Sequence, residues 1–62
     1  MKFVQYFHKP NNKTLMIIKE NKTYYVYYYK DKELRTFHYN NELRSEMLFN
    51  SYHSAINFIE RF

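Results

Sequence analysis

The chain contains no cysteine and no glycine, and its 62 residues include a single proline. Without cysteine there is neither a disulfide nor a thiolate zinc site, so two of the usual staples of very small domains are excluded. Without glycine there is no phosphate-cradling loop of the kind that opens nucleotide-binding helices. No apolar run approaches the roughly 20 residues needed to cross a bilayer. Polar Gln5, His8 and Lys9 interrupt the first ten residues, where a signal peptide would carry an unbroken apolar stretch. The expectation is a cytoplasmic protein with no membrane partner.

What the chain has in quantity is aromatic side chains. Hydrophobic residues make up 45% and aromatic residues 23% of the sequence, too much for a disordered segment. One domain spanning residues 1–62 is expected. A chain this short buries only about 60% of the surface it exposes when unfolded, so association with a second copy is one route to further stability. The formal charge is +4, and it is unevenly spread: residues 1–39 hold eight cations against three acids, the remainder two against three. Excess positive charge steers a protein toward phosphate backbones or acidic protein surfaces.

Residues 2–8 (KFVQYFH) alternate well enough to predict a strand, closed by the turn formers Pro10, Asn11 and Asn12. Residues 15–20 (LMIIKE) predict a second strand, residues 23–29 (TYYVYYY) a third and residues 34–39 (LRTFHY) a fourth. Asn21-Lys22 and Asp31-Lys32 join them as tight turns, with Asn21 and Asn12 the residues best suited to a positive φ in the absence of glycine. Residues 40–46 (NNELRSE) are open to loop, helical turn or short strand. From Ser51, a suitable N-cap, Tyr52, Ala55, Ile56, Ile59 and Phe62 recur at helical spacing with Phe58 at the margin. The expected fold is α+β: an antiparallel sheet of three to five strands in β-β-β-β-α order, with one C-terminal helix packed on one face.

The third strand raises the functional question. Successive side chains of a strand point to opposite faces, so Tyr24, Val26 and Tyr28 share one side while Tyr25, Tyr27 and Tyr29 share the other. With two-residue turns, Tyr28 falls opposite Leu15 and Arg35, Val26 opposite Ile17 and Phe37, and Tyr24 opposite Lys19 and Tyr39. That side has an aliphatic centre, and Phe3 and Phe7 join it if the first loop spans residues 9–13. The helix is expected to cover it, leaving Tyr25, Tyr27 and Tyr29 open with Thr36 and His38 beside them; a loop one residue longer would exchange the faces. A tyrosine ring also covers a small sheet well while its hydroxyl stays wet, a purely structural use of the same residues.

Catalytic chemistry finds little footing. His8, His38 and His53 have no second histidine, cysteine or acid at metal-ligand spacing. Ser51, His53 and Ser54 lie close in sequence, yet residues two apart on a helix do not face each other, and Ser51 is explained as a cap. Glu42 and Glu46 meet only if their segment is helical. No enzyme, metal or cofactor is expected. Lysines interleaved with tyrosines on strands are the more telling pattern, since aromatic faces can take bases while cations neutralise phosphates.

From Lys22 onward, the order YYVYYYKD, KELRTFHY and LFNSYHSAINFI resembles the arm-type DNA-binding domains of phage and transposon tyrosine recombinases. The match covers about two thirds of the chain and rests on the aromatic strand, the charged turn and the Phe49, Ser51, Ala55 lead-in to the helix; the turn KDKE departs from it in lacking glycine. The resemblance implies a three-stranded sheet with a C-terminal helix that enters the DNA major groove, contacting phosphates and base edges through Tyr25, Tyr27, Lys30, Lys32 and Thr36, with Arg35 if the register shifts. With Tyr29 and His38 from the open face, these are the candidate partner-binding residues. Short, glycine-poor chains rich in Asn, Lys and Tyr also look like products of AT-rich phage or mobile elements that inhibit a host nucleic-acid-processing protein, such as a CRISPR nuclease. There the tyrosines would be interface anchors. A third alternative is a self-associating structural protein, a homodimer through the same rings.

Overall fold

A computed structural model describes residues 3–62 of the chain. The expected α+β architecture is present: among the described residues seven antiparallel strands are followed by one helix. Strands β1 (Phe3–Lys9), β2 (Lys13–Glu20) and β3 (Thr23–Lys30) form a meander. β4 (Glu33–Arg35) pairs with one end of β3, and β7 (Met47–Phe49) pairs with the other. Between them, β5 (Phe37–Tyr39) and β6 (Glu42–Arg44) make a separate two-stranded hairpin. Helix α1 (Tyr52–Arg61) closes the fold. It is too short to cross a membrane, and no longer helix occurs among the described residues.

The turns work without glycine because asparagine takes its place. Asn11, Asn12, Asn21, Asn40 and Asn41 all have φ between 51° and 68°, as do Asp31 at 53° and Lys32 at 66°. Asparagine and aspartate reach this left-handed region at little cost. Lysine does not, so Lys32 is the one strained turn residue. In Asp31-Lys32 and Asn40-Asn41 both residues have positive φ, the backbone of a type I′ turn, which matches the twist of the strands it joins. The two-residue loops at 21–22 and 31–32 fix the register expected for β2, β3 and β4: Leu15 and Arg35 flank Tyr28, and Ile17 flanks Val26.

Beyond Arg35 the expectation fails. The predicted strand over 34–39 breaks at Thr36, and Phe37–Tyr39 leave β3 to pair with Glu42–Arg44. Met47 therefore stands opposite Val26 where Phe37 was expected, and Phe49 stands opposite Tyr24 where Tyr39 was expected. Phe37 still reaches the core, folding in from the side rather than along the sheet.

Leu15, Ile17, Val26, Phe37, Met47, Ala55 and Ile59 form that core. The helix covers the Ile17, Val26, Phe37 side, as expected from its apolar stripe. Ser51 caps it, its Oγ accepting from the Ser54 backbone N–H at 3.1 Å. Phe37 packs edge-on against Phe58 and Phe62, with centroids at 5.4 and 5.7 Å, and Phe62 packs on Tyr28 at 4.7 Å. Asn57, on the polar side of the helix, is half-buried. Phe7 lies opposite Leu15 and packs on the core, while the expected placement of the Phe3 side chain falls outside the described side chains.

Candidate functional site

The pleat and the register together build an open face on the side away from the helix. Three rows of directly opposed residues run across the strands. Val4, Ile18, Tyr25 and Leu48 make the first; Tyr6, Met16 and Tyr27 the second; His8, Thr14, Tyr29 and Leu34 the third. The outer positions are well exposed, Tyr6 at 59% and Leu34 at 55%, while Tyr25, Tyr27 and Tyr29 are half-buried by their neighbours. Exposed aliphatic and phenolic side chains are thus gathered on one face, with His8 and Thr14 at one end of it.

Near its middle the face carries a buried-edge hydrogen bond. Tyr27 donates its phenolic O–H to a carboxylate oxygen of Glu46 at 3.0 Å. Burial first, and the Glu46 carboxylate second, push the Tyr27 phenol above its ordinary value, because an ionised ring there would face both desolvation and a like charge. The hydroxyl is therefore a donor at neutral pH, tying Tyr27 in β3 to Glu46, the residue before β7.

The lysines are elsewhere. Alternation places Lys9, Lys13, Lys19 and Lys30 on the same side of the pleat as the core. Lys9 Nζ donates to the Glu60 carbonyl at 3.4 Å, Lys13 Nζ lies 5.6 Å from the Phe62 ring centroid, and Lys19 Nζ lies 5.5 Å from that of Tyr24. Lysine stems covering apolar surface with wet heads are a common use of the residue. The basic side chains on or beside the open face are Lys32 and the imidazole of His8.

Those two join the tyrosines at one end of the sheet. Tyr6, His8, Thr14, Tyr29 and Lys32 surround a shallow hollow of about 350 Å³. His8, Thr14 and Lys32 also line a larger groove of about 610 Å³, shared with Lys9 and Lys13. Its floor is braced by the two turns, since Asn12 Nδ2 donates to Asp31 Oδ1 at 3.2 Å and the Asp31 N–H donates to the Asn12 carbonyl at 3.1 Å. His8 Nδ1 lies 3.1 Å from Thr14 Oγ1, which fixes the imidazole against the sheet. An aromatic floor thus runs directly into a basic groove.

The sequence-derived candidates divide accordingly. Tyr25, Tyr27 and Tyr29 are on the open face, with Lys32 at its border. Lys30 and Arg35 lie on the helix side of the pleat, and Arg35 makes an exposed 3.7 Å ion pair with Glu33. Thr36 and His38, expected beside the open tyrosines, instead share a hollow with Tyr28, Lys30 and Arg35, because the chain leaves the sheet at Thr36. Tyr6, His8 and Thr14 were missed, although the alternation of FVQYFH with Phe7 inward already turns Tyr6 and His8 outward. Glu46 carried no signal in sequence. Glu42 and Glu46 do not share a helical face, since Glu42 begins β6. Among the described residues no group of three or more His, Cys, Asp or Glu could hold a metal ion. Compared with known proteins, the chain matches no family model, no curated sequence and no solved structure.

Proposed function

We propose that the chain is a non-enzymatic binding module that takes single-stranded nucleic acid on its open face. One observation carries this reading: the Tyr6–Tyr29 hollow is continuous with the groove holding Lys32, Lys9, Lys13 and His8. Bases stack on phenolic faces, and the adjoining cations neutralise the phosphates between them. A single strand fits better than a duplex because the cations gather at one end of the rings rather than flanking them on both sides, as groove insertion would need. DNA remains the expected form, although the resemblance to recombinase arm domains implies duplex groove insertion rather than single-strand stacking.

Few phosphates can be met this way. Two or three contacts give a log–log salt slope of about −1.4 to −2, from roughly −0.7 per phosphate on a single strand. Removing a stacking ring costs about 1–3 kcal/mol, so Tyr29→Ala is expected to weaken binding about 5- to 150-fold. Anisotropy titrations of labelled single- and double-stranded oligonucleotides at two salt concentrations test this. No binding of either at low salt overturns the proposal, and preference for the duplex replaces stacking with groove insertion.

A second reading has an observation of its own. The row Val4, Ile18, Tyr25 and Leu48, farthest from the groove, is apolar, as a protein interface core would be. That row suits a small phage or mobile-element inhibitor of a host nucleic-acid-processing protein, for which binding would lose little with salt.

A further inference from the structure

The two edges of the main sheet are unlike. On the far side of β3 the edge is broken: β4 and β7 have three residues each, and the β5–β6 hairpin departs between them. Short, interrupted edges of this kind block further strand pairing. On the near side β1 is the edge, with seven residues, no proline and no bulge in its pairing with β2. Among the described residues nothing pairs with its outer side. Natural sheets guard such an edge with charges along it, and β1 carries a lysine only at its last position, Lys9.

We infer that β1 pairs antiparallel with β1 of a second copy about a two-fold axis at Tyr6, joining two sheets into one. The pleat narrows the choice, because opposed residues must share a face, and a two-fold axis normal to the sheet then has to pass beside one residue. Only an axis at Tyr6 uses all seven positions of the strand. It sets Tyr6 against Tyr6 of the second copy, Val4 against His8, Gln5 against Phe7, and Lys9 at the position opposite Phe3. The two lysines thus fall at opposite ends, with no like-charge pair across the seam. Helix α1 packs mainly on β3 and β7 and reaches β1 through side chains on the core side of the pleat, Tyr52 Oη donating to Gln5 Oε1 at 2.6 Å and Lys9 Nζ to the Glu60 carbonyl at 3.4 Å; neither contact uses the backbone groups of the strand's outer side.

The consequence is a doubled open face. The row of Tyr6, Met16 and Tyr27 continues into its own copy, and the row ending at His8 continues into the apolar row that begins at Val4. Each basic groove then sits at an opposite end of one aromatic floor. The pairing also supplies the association by which a chain of this size offsets its small core. It does not depend on what the face binds.

Sedimentation equilibrium and oxidative cross-linking test it on the free protein. Wild type is expected at twice the 7.9 kDa of one chain. The absence of native cysteine makes single-cysteine variants clean reporters. Tyr6→Cys, at an exposed position, is expected to form a disulfide-linked dimer, since directly opposed strand residues lie within disulfide reach. Leu43→Cys, exposed at 65% on the β5–β6 hairpin, is expected to sediment as the same dimer but to form no disulfide cross-link. A monomeric wild type overturns the inference. So does a dimer in which Tyr25→Cys cross-links faster than Tyr6→Cys, which would mean that the copies meet face to face.

Discussion

Met47 and Leu48 are consecutive, both apolar, and assigned opposite fates by the pairing of β7 with β3. Met47 stands opposite Val26 on the helix side and is 8% exposed; Leu48 stands opposite Tyr25 on the open face and is 47% exposed. Truncating a buried methionine to alanine removes its transfer free energy and leaves a cavity, at about 2–5 kcal/mol. A 62-residue chain has a total stability of about 3–9 kcal/mol, at 0.05–0.15 kcal/mol per residue. Met47→Ala is therefore expected to consume a large part of it. In urea, with a slope of about 1 kcal/mol per molar for so small a domain, a 3 kcal/mol loss moves the midpoint down by about 3 M. Leu48→Ala keeps its backbone pairing and loses only half-solvated surface, so its cost is expected below about 1 kcal/mol. Circular dichroism through a urea titration reads both variants. Equal costs for the two would refute the register of β7, and with it the assignment of covered and open faces on that side of the sheet.

Two further variants probe the site. Tyr27 has a folded-state pKa above its unfolded value near 10, so its contribution is fully present below pH 10 and is lost as pH rises through the folded value; urea midpoints of Tyr27→Phe are expected to decline less steeply above pH 10 than those of wild type, and parallel curves would contradict the Glu46 contact. Lys32→Gly relieves a left-handed lysine at φ 66° and is expected to add roughly 0.5–1 kcal/mol of stability while weakening nucleic-acid binding; a variant that loses stability, or binds as well as wild type, would remove Lys32 from one role or the other.

Much of this architecture is legible in the sequence, for identifiable reasons. Two-residue turns at 21–22 and 31–32 leave no freedom in register, so the pairing of Ile17 with Val26 and the sorting of Tyr25, Tyr27 and Tyr29 to one face follow by counting. The helix is legible because Ala55 and Ile59 recur one turn apart behind a serine cap. The break at Thr36 is not legible. Residues 36–39 (TFHY) alternate polar and aromatic as a continuing strand would, and Phe37 is buried whether the strand continues or departs, so this part of the pattern fits both arrangements. β6 is equally silent: Glu42, Leu43 and Arg44 are all exposed, and a strand with no buried side chain carries no period-2 signature. β7 is the casualty of both, since its place beside β3 exists only because β5 vacated it.

The positive charge of the chain is legible in total and misleading in place. Lys9, Lys13, Lys19 and Lys30 are interleaved with the aromatic strands in sequence, which reads as a basic tyrosine surface. The pleat separates what the sequence mixes. Each of these lysines has the parity of Leu15, Ile17 or Val26, and a lysine on the core side of a small sheet can only reach outward to the rim, as Lys9 and Lys13 do toward Glu60 and Phe62. Turn residues escape this sorting, because a turn belongs to neither face. That is why Lys32, from the turn, comes to the border of the open rings while Lys30, two residues earlier, does not. Tyr6 and Tyr29 meet Lys32 only where the strands end, so the proposed binding of a single strand requires its phosphates to lie toward that end and its bases toward the two rings.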